Sequence, residues 1–396
     1  MPNAREIYDQ KFGVHADIVT SAPGRVEVIG NHTDYNGGTV VGAAIHKRLE
    51  IAFGFREDRE IHLASDRPNL DGSTQTNIDT YGSDDLPEWT KYPLGVYDEI
   101  KMLGRIDANC GFNLCVSSDI PVGSGLSSSA AFEMAAALAM SKARPSQNQL
   151  PSQDDFSISD LVRISHRAEN RFVGVPCGLL DQSVVGLGKA NSLVVLDTST
   201  ARHAIVPAGE QARLVIFRTH ITHNLVHSPY EKRNAECRNA LMGLQRVIPG
   251  IRHLAHLDPL DITAYDIVLP DTLARRARHV VEEQRRVGAF LRALNEGDLG
   301  AAGELMSASH ESSRTLFENS SPELDFLVNQ LNEKDSVFGA RLSGAGWGGS
   351  VVALVSASFG GETAEEVASA YEAYFEISPD WWMTEMSEGV RIEMNA

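Results

Sequence analysis

The sequence predicts an α+β protein built as two lobes around a cleft. Its 396 residues exceed what one typical domain core supports. The first half mixes β-like and helical segments, whereas the remainder is helix-rich and closes on a glycine-strand unit at 339–357. A boundary near residue 205 divides the expected lobes into 1–205 and 206–396. A hydrophobic share of 42% beside 22% charged residues is ordinary for a globular chain.

The elements follow in chain order. Residues 38–55 and 60–65 have strand character, and 111–117 alternates well enough for a third strand. The stretch 127–142 is rich in Ala, Met and Leu, which predicts a helix buried on most sides. A Ser/Gln/Pro-rich stretch at 145–153 reads as a surface loop. Ile158, Leu161, Ile164, Ala168 and Phe172 recur at helical spacing, and Ser157 with Asp160 resembles a capping box, so a helix is expected over 158–172. SLVVLD and ARLVIF, within 192–219, are further strands. Beyond them Cys237, Leu241, Leu244 and Ile248 form one helical stripe, and 272–295 and 322–333 also read as helices.

A formal net charge of −18 argues against a general nucleic-acid or anionic-membrane binder, because both partners would be repelled. The first residues lack an apolar signal core, and no run approaches the roughly 20 apolar residues of a membrane span. Cys110, Cys115, Cys177 and Cys237 form neither a CxxC pair nor a dense framework. Reduced thiols in a cytoplasmic protein fit this usage, and a monomer is the default expectation.

Three segments carry chemistry. APGRVEVIGNHTDYNGG (22–38) sets Arg25, Asn31, His32 and Asp34 between two glycine turns. Such a cluster lines a hydrophilic ligand pocket or forms an ordinary polar loop. PVGSGLSSSAAFE (121–133) places glycines and serines directly ahead of a helix. Backbone N–H groups and the helix dipole make that position an anion site, although a serine-capped turn has the same composition. No GxxxxGK(S/T) occurs, which excludes a Walker-type loop. GARLSGAGWGGS (339–350) has five glycines in twelve residues, a sign of backbone passing close to a ligand or to other backbone.

Single acids and histidines say less. Glu169 lies about 80° around its helix from Leu161, at the edge of the apolar stripe. It either ligates a metal there or, as is commoner, faces solvent. Asp181, among apolar residues and glycines, is a desolvated base or a helix cap. His220, His223 and His227 have metal-like spacing, but no carboxylate or cysteine completes a site, and they read as plain polar residues.

Taken together, the three segments resemble the ordered motifs of the GHMP small-molecule kinases, and the first resembles the galactokinase signature in particular. AENRFVGVPCGLLDQ (168–182) and SPYEKRNAEC (228–237) are also similar to galactokinase segments, so five blocks span residues 22 to 350. The resemblance implies an N-terminal lobe of ribosomal-protein-type α/β fold, a ferredoxin-like C-terminal lobe, and ATP and sugar meeting between them. It implies Asp181 as catalytic base and Arg25 beside it. Gly123, Ser124, Gly125, Leu126, Ser127 and Ser128 match the phosphate loop. Ser129, with Ser128 as neighbour, and Glu169 match Mg²⁺ ligands. His32, Asp34, Gly178 and Tyr230 match sugar-contacting positions. The reaction implied is transfer from ATP to the anomeric hydroxyl of a sugar.

One position departs from the pattern. Galactokinases carry Glu in this core where the present chain has Asn31, and that glutamate is expected to accept from the C6 hydroxyl of galactose. Asn still accepts through its carbonyl but carries no charge. Losing a charged hydrogen bond costs about 1.5–3 kcal/mol, which weakens galactose binding without forbidding it. The change also removes a repulsion toward a C6 carboxylate, so galacturonate stands as the second candidate substrate after galactose, with arabinose a further option. No cation is visible within the motif to pair with a uronate. A sugar-sensing relative that has lost catalysis is the alternative of another class. It would be damaged in the serine-alanine part of the phosphate loop or at the base, and neither is damaged here.

Overall fold

The computed structural model describes residues 3–66, 72–106, 109–143, 156–175, 177–209, 211–221, 229–258 and 268–395. The loop expected at 145–153, together with His223 and His227, lies outside these residues.

After helix α1 (Ala4–Phe12), strand β1 (Ile18–Ile29) lies one place in from the edge of the first sheet, with all twelve residues buried. A strand covered on both faces reads as a nearly unbroken apolar run rather than an alternation. Its Pro-Gly step, expected as a turn, lies inside the strand. Pairing with β12 (Arg391–Asn395) stops at Ser21, and the register against β2 (Thr39–Phe55) shifts between Pro23 and Arg25. Proline is tolerated where the ladder breaks, because no N–H is required there.

The sheet continues through β5 (Phe112–Ser118), β3 (Glu60–Ser65) and β4 (Ser73–Asn77), giving the order β12-β1-β2-β5-β3-β4. Strand β6 (Ser192–Asp197) pairs with the start of β2, at Thr39–Gly42, and β7 (Arg202–Pro207) pairs with β6. Of these pairs only β3 with β5 is parallel. Helix α3 (Ser128–Lys142) packs on this sheet, and α2 (Lys91–Met102) and α4 (Ile158–Arg167) pack against α3. The Ala-rich α3 is buried along most of its length and approaches β1 closely enough for Thr20 Oγ1 to donate to Ala135 O at 2.8 Å. The capping box of Ser157 with Asp160 is present at the start of α4. The expected helix over 158–172 changes to a π-helical turn at Ala168–Val173 before α5 (Leu180–Leu187).

The second sheet has the order β11-β8-β10-β9, all antiparallel, from Asp380–Thr384, Arg213–Arg218, Ser350–Val355 and Val337–Ser343. Two helices, α9 (Pro322–Asn332) and α10 (Gly361–Phe375), bury Leu324, Leu327, Leu331, Val367 and Tyr371 against it. Helix α8 (Leu299–Ser312) packs on β9 of the second sheet and reaches β1 of the first, α7 (Asp271–Glu296) contacts β1 and β2, and α6 (Pro229–Gln245) packs on α7. Val287, Phe290 and Met306 of α7 and α8 join the same apolar cluster as Val26 and Ile45 of the first sheet. The sheets change over between Pro207 and Arg213. The lobe division expected at 205 needs one amendment: β12 belongs to the first sheet, because its backbone completes the open edge of β1.

Candidate active site

The site forms where β1, the loop ahead of α3 and the start of α5 converge. Arg25 reaches out of β1. Its Nε and Nη2 donate to Asp181 Oδ1 at 2.8 and 2.6 Å, and its Nη1 donates to Gly125 O at 2.6 Å. The backbone N–H of Arg25 donates to Leu126 O at 3.1 Å. Asp181 sits in the first turn of α5 and also accepts from Ser127 Oγ at 2.5 Å through Oδ2. Oδ2 therefore keeps a further lone pair for a reacting hydroxyl. Asp181 is 28% exposed against 7% for Arg25, so the carboxylate is the member of the pair open to a ligand.

Gly125 and Ser127 hold the loop in left-handed backbone, at φ +73° and +57°. For Ser127 this costs on the order of 1–3 kcal/mol, which the bonds around it must offset. The closing glycine segment braces the loop from behind, where Ser350 Oγ donates to Ser124 O at 2.7 Å. Its glycines meet backbone. A Cβ on Gly346 would lie 2.0 Å from Asn319 O.

Beside the loop lies a pocket of oxygen atoms. Glu169, on the π-helical turn, is buried rather than solvated. Its Oε2 accepts from Gln182 Nε2 at 2.6 Å and Cys177 Sγ at 3.1 Å, and Ser129 also bonds its carboxylate. Burial and the charge of Asp181 raise the Glu169 carboxyl. Glu133, one turn beyond Ser129, shares Gln182 Nε2 at 3.1 Å, and burial and Glu169 push it well above the usual range. Glu133 Oε1 and Gln182 Oε1 are buried without a partner. Hard oxygens with spare lone pairs suit Mg²⁺, which uses one or two carboxylates and completes its shell with phosphate and water. Glu133 closes the 121–133 segment but is not among the residues expected at the site. Its signal was a lone acid, four residues after Ser129, in an otherwise apolar helix.

On the sugar side, Asp34 opens a short 3₁₀ turn, and a Cβ on Gly178 would lie 1.9 Å from its Oδ2. Only glycine lets the two segments approach this closely. Burial and then the charge of Glu27 push the Asp34 carboxyl up to about 7. Between about pH 4 and about 7 the folded chain thus holds this proton more tightly than the unfolded chain. The stabilisation is complete below that window and is lost as pH rises through it. Denaturant midpoints at about pH 5 and about pH 8 are expected to fall more for the unaltered chain than for Asp34→Asn. Parallel changes in the two proteins would contradict the assignment.

His32 is buried, and burial lowers it to about 3, so the ring is neutral. Its Nε2 donates to Ala345 O at 3.0 Å, and its Nδ1 accepts from Tyr35 OH at 2.9 Å. The ring stacks on Phe317 at 4.5 Å and lies 5.6 Å from Tyr230. Both nitrogens are engaged, so His32 shapes the pocket wall rather than presenting a free ring nitrogen.

Asn31 is likewise committed. Its amide donates to Glu27 Oε1 and Gly344 O, both at 2.9 Å, while its Oδ1 accepts from Ser313 Oγ at 3.0 Å and Asn319 Nδ2 at 2.9 Å. That exhausts an amide's capacity. In this structure the Asn31 side chain thus links the end of β1 to Ser313, Asn319 and Gly344 far along the chain. The backbone N–H groups of Gly30 and Asn31 donate to Glu283 Oε1 of α7 at 3.0 and 3.1 Å. Burial alone would raise Glu283, but Arg286, His279 and Arg341 hold it down at about 2. His220 lies elsewhere, 3.0 Å from Asp380 at the second sheet.

With this geometry in view, the chain matches three family models: the galactokinase galactose-binding signature over residues 6–55, the GHMP kinases N terminal domain over 91–189 and the GHMP kinases C terminal over 290–377. It is 34% identical to a galactokinase of Roseiflexus sp. (strain RS-1), covering 99% of this chain and 97% of that one. The chain belongs to the galactokinase family. A galactokinase of Streptococcus thermophilus is also 34% identical, over 98% of both chains. A solved structure of Lactococcus lactis galactokinase complexed with galactose superposes with a TM-score of 0.89 at 31% identity, covering 98% of each chain. Methanococcus jannaschii mevalonate kinase shares the fold at a TM-score of 0.65 and 18% identity, covering 94% of this chain and 99% of that one. The expected two-lobed GHMP kinase fold is thus the fold of this chain, which is a sugar kinase and by its family an ATP user.

Proposed function

We propose that the chain phosphorylates the C1 hydroxyl of D-galactose with ATP, giving galactose 1-phosphate and ADP. The observation that carries this reading is Asp181, held between Arg25 and Ser127 where the phosphate loop meets the sugar segment. The oxygen on C1 attacks the γ-phosphorus, the bond from that phosphorus to the β-bridging oxygen breaks, and ADP departs with the electron pair. Asp181 accepts the C1 hydroxyl proton. Arg25, between Asp181 and the phosphate loop, neutralises charge building between acceptor and phosphoryl group. Ser129 and Glu169 would hold Mg²⁺, which when bound supplies charge neutralisation at the β- and γ-phosphates.

Residues 123–129 cradle the phosphates, with N–H groups at the start of α3 facing the anion. Asp34, Gly178 and Tyr230 form the sugar pocket, and His32 and Asn31 hold its walls. The sensor alternative is not favoured, since the base and the serine-alanine loop are both intact. Nor is galacturonate. The motif has no cation of its own, and although the fold brings Arg341 to it, Glu27 already pairs with that guanidinium. A C6 carboxylate would meet Glu27 and Asp34 without a free counter-charge. A monomer working in the cytoplasm completes the proposal. The four free cysteines, three of them buried, support a reducing compartment, and among the described residues no helix is long and apolar enough to cross a membrane.

A coupled ADP-release assay over galactose, galacturonate, arabinose and N-acetylgalactosamine tests the substrate. Galactose is expected to give the highest kcat/KM, and a preference for galacturonate would overturn the choice.

A further inference from the structure

Alternate side chains of a strand share a face. Arg25 and Glu27 are therefore neighbours on β1, and the register between them is unbroken, with Arg25 opposite Ala44 and Glu27 opposite Gly42. The face that presents Arg25 to Asp181 presents a second carboxylate one step further along. Glu27 is 5% exposed. Its Oε1 accepts from Asn31 Nδ2 and from Arg341 Nη1, each at 2.9 Å. Both bonds end on the same oxygen, and among the described residues no donor is bonded to Oε2.

Arg25, on the same face, reaches Asp181, and Asn31, bonded to Glu27 Oε1, adjoins His32 and Asp34 in the chain, so the Glu27 carboxylate borders both the catalytic pair and the sugar segment. Burying a carboxylate is unfavourable unless it is paired and its acceptor capacity is used. Arg341, fully buried, supplies the pair. Asn31 fixes the carboxylate through the same oxygen, and its own bonds to Gly344, Ser313 and Asn319 tie the unit to the rest of the fold.

We propose that Glu27 is the substrate-positioning carboxylate of this site, its Oε2 accepting a hydroxyl of the bound sugar in place of the glutamate that the galactokinase core carries at position 31. The charged acceptor has moved four residues along the chain, and Asn31 holds it in place. This assignment rests on the galactose kinase reading.

The test is a comparison of the purified full chain with Glu27→Gln, using D-galactose and its singly deoxygenated analogues at C2, C3, C4 and C6. In the unaltered chain, removing the hydroxyl that Glu27 holds is expected to lower kcat/KM about ten- to a hundredfold. In Glu27→Gln the KM for galactose rises by a similar factor with kcat within about threefold, and the extra loss for that one analogue shrinks to within about threefold. A carboxylate serving only to neutralise Arg341 would leave the ratios among analogues identical in both proteins, and that result overturns the assignment. Glu27→Asp keeps the charge beside Arg341 while shortening its reach, so it serves where Glu27→Gln does not accumulate folded. It too must raise the KM for galactose, and an unchanged KM overturns the assignment. An unaltered chain inactive on galactose while phosphorylating another sugar would sink the galactose reading itself, and this assignment with it.

Discussion

Asp181→Asn is expected to lower kcat for galactose phosphorylation by roughly 10²–10⁴-fold, the range for loss of a positioned general base. The KM values for galactose and ATP should stay within a few-fold. The amide is nearly the same size and still offers an oxygen to Arg25, which now donates to Asp181 Oδ1 at 2.8 and 2.6 Å. What the variant loses is the ability to take the C1 proton, so the deficit belongs in kcat. ADP release under saturating substrates measures it, with circular dichroism to confirm the fold. Turnover within about tenfold of the unaltered chain would remove Asp181 from the role of base. Ser127 is part of the same unit, since its hydroxyl occupies one lone pair of Oδ2 and thereby orients the other.

Gly178→Ala should act on the opposite side of the balance, through sugar binding. The added methyl would lie 1.9 Å from Asp34 Oδ2 and 2.7 Å from its Cγ, so the carboxylate has to move away. Above about pH 7, where Asp34 is ionised, its displacement forfeits a charged hydrogen bond of about 1.5–3 kcal/mol, which is about a ten- to hundredfold weaker Kd for galactose. ATP binding should be unchanged, because the phosphate loop belongs to another segment. Calorimetric titration with each ligand separately reads the two effects, and an unaltered galactose Kd would show that Asp34 does not touch the sugar.

The site was legible in the sequence to the extent that its parts are contiguous. Arg25, the 123–129 loop and Asp181 each lie in a compact motif, and the structure brings them within hydrogen-bond distance. What escaped reading came from far along the chain. Nothing in the motif of Asn31 shows that Ser313, Asn319 and Gly344 take up its amide, at separations of 282, 288 and 313 residues. Glu283 supports the same backbone from a helix 252 residues beyond Asn31. Glu169 misled for a related reason. Helical geometry placed it at the edge of an apolar stripe, but the change to π-helical winding and the packing of α5 enclosed it. Long, strongly patterned elements such as α3 and α7 appeared within a residue or two of their expected ends. β1 was hidden because proline and glycine in a strand look like a turn until the neighbouring strands show where the ladder is broken.

The pairing of β12 with β1 has a consequence for how the molecule is made. Ile18 lies opposite Asn395 and Ser21 opposite Arg391, so one margin of the first sheet waits on residues synthesised some 370 positions later. Until then the outer backbone groups of residues 18–21 are an uncovered edge, the kind of surface that recruits foreign strands. Contacts this distant in sequence also form slowly, because a long loop must close before they are rewarded. A nascent chain halted after the second sheet would hold all the catalytic motifs and still present that edge, which makes segment 391–395 a late fastening whose loss is expected to show first as aggregation during expression.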